Sequence, residues 1–194
     1  LATQHLIDLG HRRIVFLTSS DESTSIAERQ GGYEAAMRQA GLEPLPALRL
    51  PRGREGPIAE LGLGYLALET AQMAFIAACL QDPERPTAIF ALHDLIAYQV
   101  IVAARQAGLR VPADLAVVGF NDSDYCTSLE VPLTSIAQDG FAIGHRACEA
   151  LIEQAEGKQA EPVSVRLPVR LVRRASSGGV QPPEDKGGAN LKNT

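Results

Sequence analysis

Three places in this sequence hold polar side chains at spacings that could do chemistry. Ser19, Ser20, Asp21, Ser23, Thr24 and Ser25 form a polar run between an apolar stretch and a helical one. Such hydroxyls and carboxylates cap helix amides, and the same groups can face a ligand. Arg29 follows Ser25 by four residues, one helical turn, so both can lie on one side. A cation near a helix start opposes the dipole, which favours a ligand or a salt bridge as its reason for being there. The second place is His93-Asp94, directly after the apolar run Ala88–Leu92. Asp94 reads chiefly as a helix N-cap, and His93 as either a solvated loop histidine or a ligand contact. The third is Asn121-Asp122-Ser123-Asp124, which closes another apolar run and reads equally as a turn or a ligand contact.

This chemistry is that of binding. Asp122 and Asp124 are neighbours in sequence with no evident acid/base partner, and no nucleophile stands beside a base. Gly62-Leu63-Gly64 lacks both a preceding strand and a third glycine, so it is no dinucleotide loop. A Gly-x-Ser-x-Gly elbow, a Walker loop and a His-Glu-x-x-His helix are all missing. The 4 histidines are scattered, and Cys79, Cys126 and Cys148 are odd in number and far apart. They read as reduced thiols, with no metal, cofactor or disulfide framework expected. An enzyme is the least supported reading.

The elements that must position these residues repeat a helix-then-strand unit. Helical patterns end in Gly10, Gly41 and Gly108, and strands follow at Ile14–Leu17, near Ala47–Leu50 and at Leu115–Phe120. The helices are expected over Ala2–Leu9, Glu28–Ala40, Ala67–Leu80 and Leu95–Ala107. Ile14–Leu17, Ala88–Leu92 and Ala116–Phe120 are nearly continuous apolar runs, as in parallel strands covered on both faces. The order α-β-α-β-α-β-α-β predicts an α/β fold with a doubly wound parallel sheet, whose ligands sit beyond the carboxyl ends of the strands. That rule gathers the three polar places at one edge. Beyond Pro132 a strand at Leu133–Ala137, a helix at Phe141–Glu156 and short strands at Val163–Leu167 and Val169–Val172 are expected to cross into a second lobe.

With 194 residues, 45% hydrophobic and 21% charged, the chain can bury a sizeable core. A net charge of −5 makes it a poor ligand for a phosphate backbone by itself. No apolar run approaches the roughly 20 residues of a membrane helix, and with no signal peptide ahead of the first element the expected location is cytoplasmic. Leu1–Leu9 already reads as the body of a helix, so the sequence is expected to be part of a longer protein. Ser176–Thr194, rich in Gly, Pro, Asn and Lys, is expected to be a disordered tail.

Several segments together carry a family resemblance: His5-Leu-Ile-Asp-Leu-Gly-His-Arg-Arg-Ile14, Arg29-Gln-Gly-Gly-Tyr33, Pro86-Thr-Ala-Ile-Phe-Ala91 with Asp94, Val111-Pro-Ala-Asp-Leu-Ala-Val-Val-Gly-Phe120, Pro132-Leu-Thr-Ser-Ile-Ala-Gln138, and Leu167–Arg173. In order and spacing they resemble the LacI/GalR transcriptional regulators. The resemblance implies a two-lobed, periplasmic-binding-protein-like type I domain with a small effector in its cleft. Residues 1–132 would form the C-terminal lobe, 133–160 a return segment of a partial N-terminal lobe, and 161–175 the closing strands. Operator DNA would be bound through a helix-turn-helix headpiece outside this sequence, by a homodimer. A transport-type sugar-binding protein of the same fold is the alternative.

Residue by residue, the resemblance matches Arg29 to the family's pocket arginine and Ser25 to a polar pocket position one turn earlier. Tyr65 falls near an aromatic that stacks on the ligand, and Asp94 and Asp122 belong to the same site segments. Two departures matter. His93 stands where sugar-binding members often have asparagine, and Asn121 stands where a carboxylate commonly grips the effector. A pocket with Arg29 unopposed by that carboxylate is richer in donors, which points to an anionic effector such as a phosphorylated sugar or a sugar acid.

Overall fold

The computed structural model describes residues 1–51, 64–158 and 164–178, with the side chains of 64–69 outside the described set. In chain order the elements are α1 (Ala2–Asp8), β1 (Ile14–Thr18), α2 (Thr24–Gln39), β2 (Leu48–Arg49), α3 (Gly64–Gln81), β3 (Ala88–Ala91) and α4 (Asp94–Gln106). After them come β4 (Ala116–Asn121), a 3-10 turn at Asp124–Thr127, β5 (Thr134–Ala137), α5 (Gly140–Ala155), β6 (Arg170–Val172) and a last 3-10 turn at Ala175–Ser177.

The strands form one six-stranded sheet in the order β2-β1-β3-β4-β5-β6. Every neighbouring pair is parallel except β5 with the antiparallel β6. The continuous apolar runs have the expected cause: every residue of β1, β3 and β5 is buried, as is β4 from Ala116 to Gly119. Phe16 of β1 anchors this core, its ring 6.2 Å from Tyr33 of α2 and 5.2 Å from Phe90 of β3. The buried Tyr33 hydroxyl donates to the carbonyls of Ile14 and Leu45, so α2 is held by polar as well as apolar contacts. Gly41 and Gly108, with φ +71° and +76°, end their helices in the left-handed conformation that a side chain would resist.

The structure corrects four expectations. α2 begins at Thr24, four residues before the expected Glu28, because Ser23 is its N-cap and accepts from the Ile26 amide. Thr134–Ala137, expected in a second lobe, pairs with β4 from Val118↔Thr134 to Asn121↔Ala137 in the same sheet. Residues 164–167, expected as part of a strand, carry no strand pairing. Ser176 and Ser177, expected at the start of a loose tail, are buried in the core. Ser176 Oγ donates to the Val117 carbonyl at 2.6 Å and accepts from the Thr134 amide, while Ser177 Oγ pairs with Thr134 and His5. Hydroxyls can enter a core when they find hydrogen-bond partners in this way.

Candidate functional site

The parallel strands β1, β3, β4 and β5 deliver four chain segments to one edge of the sheet: Ser19–Ser23, Leu92-His93, Asn121–Ser123 and Gln138. Arg29 on α2 joins two of them. Its Nη1 donates to the Leu92 carbonyl at 2.8 Å, and its guanidinium lies 3.8 Å from the centre of the Phe120 ring. The arginine thus sits between the exits of β3 and β4. Among the described residues no carboxylate comes within ion-pairing distance of it. Burial pushes its pKa down, which marks a charge held in partly desolvated surroundings.

His93 takes the capping role expected of Asp94. His93 is the N-cap of α4: its backbone is extended, and Nδ1 accepts from the Ile96 amide at 3.4 Å. In the neutral ring the proton therefore sits on Nε2, making that nitrogen a donor. Burial, and after it the nearby Arg29 charge, lower the His93 pKa, with Asp94 opposing them.

Asp94 is instead a buried structural anchor, 1% exposed, one residue inside the helix. Its carboxylate accepts from Ser135 Oγ at 2.6 Å and from the Ser123 amide at 2.8 Å. It packs directly on Gly119, where an added Cβ would fall 2.3 Å from Oδ1. Burial and the Asp94 charge together push the Cys126 thiol up to about 12.

Asn121 and Asp122 form a left-handed turn at the tip of β4, with φ +114° and +57°. Gln138 Nε2 donates to Asn121 Oδ1 at 2.8 Å, which leaves Asn121 its amide N–H groups and one oxygen lone pair for other partners. The Asp122 carboxylate is paired with Arg174 at 2.6 Å and so is engaged within the protein. Ser25 lies in the first turn of α2, exposed, its hydroxyl 3.1 Å from that of Ser23. Tyr65 falls at the start of α3, and its side chain lies outside the described residues.

Of the expected site residues, the sheet edge brings together Arg29, His93, Asp94, Asn121 and Asp122. Sequence reasoning missed Phe120 under the arginine and the clamping side chains Ser135, Gln138 and Arg174. Their only signal was position: each lies at or beside a strand end. Among the described residues no group of histidine, cysteine or carboxylate side chains is placed to hold a metal, and no helix is long and apolar enough to cross a membrane. All three cysteines are free thiols.

The sequence profile of the periplasmic binding protein-like domain matches residues 3–177. The chain belongs to that family. The periplasmic binding protein-like domain seen here is 35% identical over 179 residues to the ribose operon repressor of Escherichia coli (strain K12), covering 91% of this chain and 50% of the relative. It is 30% identical to the transcriptional repressor PurR of Aliivibrio fischeri (strain MJ11), covering 91% of this chain and 49% of that protein. Among solved structures it superposes on a Lac repressor dimer bound to operator and an anti-inducer with a TM-score of 0.75 at 25% identity, covering 91% of this chain and 49% of that one. On a complex of the regulator CelR with cellobiose the TM-score is 0.73 at 30% identity, with 90% and 49% covered. The chain spans about half the length of the curated relatives it matches.

Proposed function

We propose that this chain is the effector-binding part of a LacI-type transcriptional regulator, and that its effector is a small sugar-like molecule carrying an anionic group. One observation carries the second half of that reading. Arg29 is fixed between Leu92 and Phe120 without a described carboxylate partner, beside a histidine whose Nε2 carries the proton and an asparagine whose oxygen is already bonded. Each of the three offers N–H groups. A phosphate or carboxylate, with several acceptor oxygens, matches such a set better than a neutral hydroxyl cluster does.

The relatives named above are transcriptional repressors and a transcriptional regulator, which favours regulation over a transport-type binding protein. In this reading the effector closes a cleft between two lobes, and the closure alters operator affinity through a headpiece outside this sequence. The excursion from Gln138 to Val169 would belong to the other lobe. Support comes from α5, which has no buried residue and exposes Phe141 at 83%. The protein would act as a cytoplasmic homodimer. A groove of about 480 Å³ beside α4, lined by Tyr98, Ile101, Val102, Leu129 and Val131, supplies apolar surface for a second copy.

Calorimetry with matched pairs tests the effector class: ribose against ribose 5-phosphate, and glucose against gluconate. The anionic member of a pair should bind more tightly and lose its advantage in Arg29→Met. Tighter binding of the neutral members would overturn the reading.

A further inference from the structure

The turn that presents Asn121 is an uncommon local conformation. Two consecutive residues that are not glycine have positive φ, a region that most L side chains avoid and that Asn and Asp enter most readily. Such a conformation persists only where its surroundings over-determine it. Here the contacts come from three directions. The Asp122 amide donates to Ser135 Oγ at 3.0 Å, and the Ser123 amide donates to Asp94 Oδ2 at 2.8 Å. The third contact comes from the far end of the described chain. Arg174 Nη1 donates to Asp122 Oδ1 at 2.6 Å and to the Leu133 carbonyl at 2.8 Å.

Both ends of this ion pair are largely removed from water, the arginine side chain 16% exposed and the aspartate 14%. Arg174 is itself fixed by main-chain bonds. Its amide donates to Thr134 Oγ1, and its carbonyl accepts from the same hydroxyl. The guanidinium is therefore a fixed charge that sets where the Asp122 carboxylate, and with it the turn, must lie. The neighbouring residues Ser176 and Ser177 lock the same segment to Val117, Thr134 and His5.

We infer that Arg174 is a positioning residue of the effector site. Its Nη1 is engaged by Asp122 and the Leu133 carbonyl, so it acts through them. By holding Asp122 it keeps the left-handed turn formed and so keeps Asn121 beside Gln138 at the strand edge. Without it Asp122 becomes a half-buried carboxylate with no partner, and the turn loses what offsets its strain. The part of this inference that concerns ligand affinity rests on the function proposed above; the part that concerns the turn does not.

Hydrogen exchange by NMR on the full chain, with calorimetry using ribose 5-phosphate as the probe, tests both parts. In Arg174→Met the amides of Asp122 and Ser123 should exchange at least ten-fold faster, while those of β1 and β3 keep their protection. Affinity for the probe should fall at least ten-fold, and Arg174→Lys, which keeps the charge, should restore most of both. Asp122→Asn, a nearly isosteric change, breaks the same pair from the other side and should reproduce the local loss even where Arg174→Met folds poorly. Exchange at Asp122 and Ser123 within two-fold of the parent in both variants would overturn the inference. So would a uniform rise across all strands, which is the mark of a general stability effect. Failure of the parent protein to bind the probe would count against the anionic-effector reading and leave the exchange test of the turn standing.

Discussion

Replacing Gly119 by alanine should be among the most damaging single changes in this sheet. The added methyl would sit 2.3 Å from Asp94 Oδ1, 3.1 Å from Leu133 Cδ2 and 3.3 Å from Asp94 Cα, so the carboxylate must move. Moving it breaks the bonds from Ser135 Oγ and the Ser123 amide. Hydrogen bonds to a charged group contribute about 1.5–3 kcal/mol each, and overpacking adds about 1–3 kcal/mol. Some of each is recovered by relaxation, which leaves an expected loss of roughly 3–6 kcal/mol against a total stability of about 5–15 kcal/mol. Urea unfolding followed by circular dichroism measures this as a lowered midpoint. The reasoning is specific about cause, so a double-mutant cycle checks it. In an Asp94→Ala background the 2.3 Å contact is gone and only the 3.1 Å and 3.3 Å contacts with Leu133 Cδ2 and the Cα of residue 94 remain, so Gly119→Ala should then cost less, with a coupling of ~2 kcal/mol or more. Equal costs in the two backgrounds would refute the idea that this glycine exists to seat the carboxylate.

Tyr33→Phe removes the donor to the buried Ile14 carbonyl and the half-buried Leu45 carbonyl, and should cost about 1–3 kcal/mol by the same unfolding assay. Burial pushes the Tyr33 hydroxyl up to about 12, so absorbance titration should show no phenolate from this residue at pH 10. His93, His5 and His11 all have lowered pKa values, chiefly through burial. The unfolded chain therefore holds more protons than the folded one near pH 6, and stability should fall as the pH drops through 6.5. His93→Asn keeps a capping side chain and should flatten that decline, as read from urea midpoints at pH 7.5, 6.5 and 5.5. For the proposed homodimer, Leu129→Asp with Tyr98→Asp should shift the sedimentation profile to monomer while the far-ultraviolet spectrum stays unchanged.

The centre of the sheet was legible because β1, β3 and most of β4 are buried on both faces, so that hydrophobicity alone marks the runs Ile14–Leu17, Ala88–Leu92 and Ala116–Phe120. The helix stops were legible because Gly41 and Gly108 adopt a conformation few other residues tolerate. Roles within the site were harder to read. Which of His93 and Asp94 caps α4 depends on where the carboxylate finds better partners. Those partners, Ser123 and Ser135, are 29 and 41 residues away. Arg174 meets Asp122 across 52 residues, a distance at which no local pattern carries information. The place of β5 was hard to read for a related reason. Whether Thr134–Ala137 continues the first sheet is decided by its backbone pairing with β4, to which its side-chain types give no clue. Ser176-Ser177 lacks apolar character, yet its hydroxyls meet bonding groups that the surrounding strands leave available.

That last contact bears on how the protein is made. The Val117 carbonyl waits for a hydroxyl that the ribosome adds 59 residues later, which is roughly 3–12 s at ~5–20 residues per second. During that interval the Thr134 amide and the Asp122 carboxylate also lack their partners, Ser176 and Arg174. The nascent sheet can condense around Phe16 early, but its strand-edge turn locks only once residues 174–177 have left the exit tunnel. Vectorial synthesis thus makes the turn at the tip of β4 late to lock, and a chain released before Arg174 should carry a formed hydrophobic core and an unlocked turn.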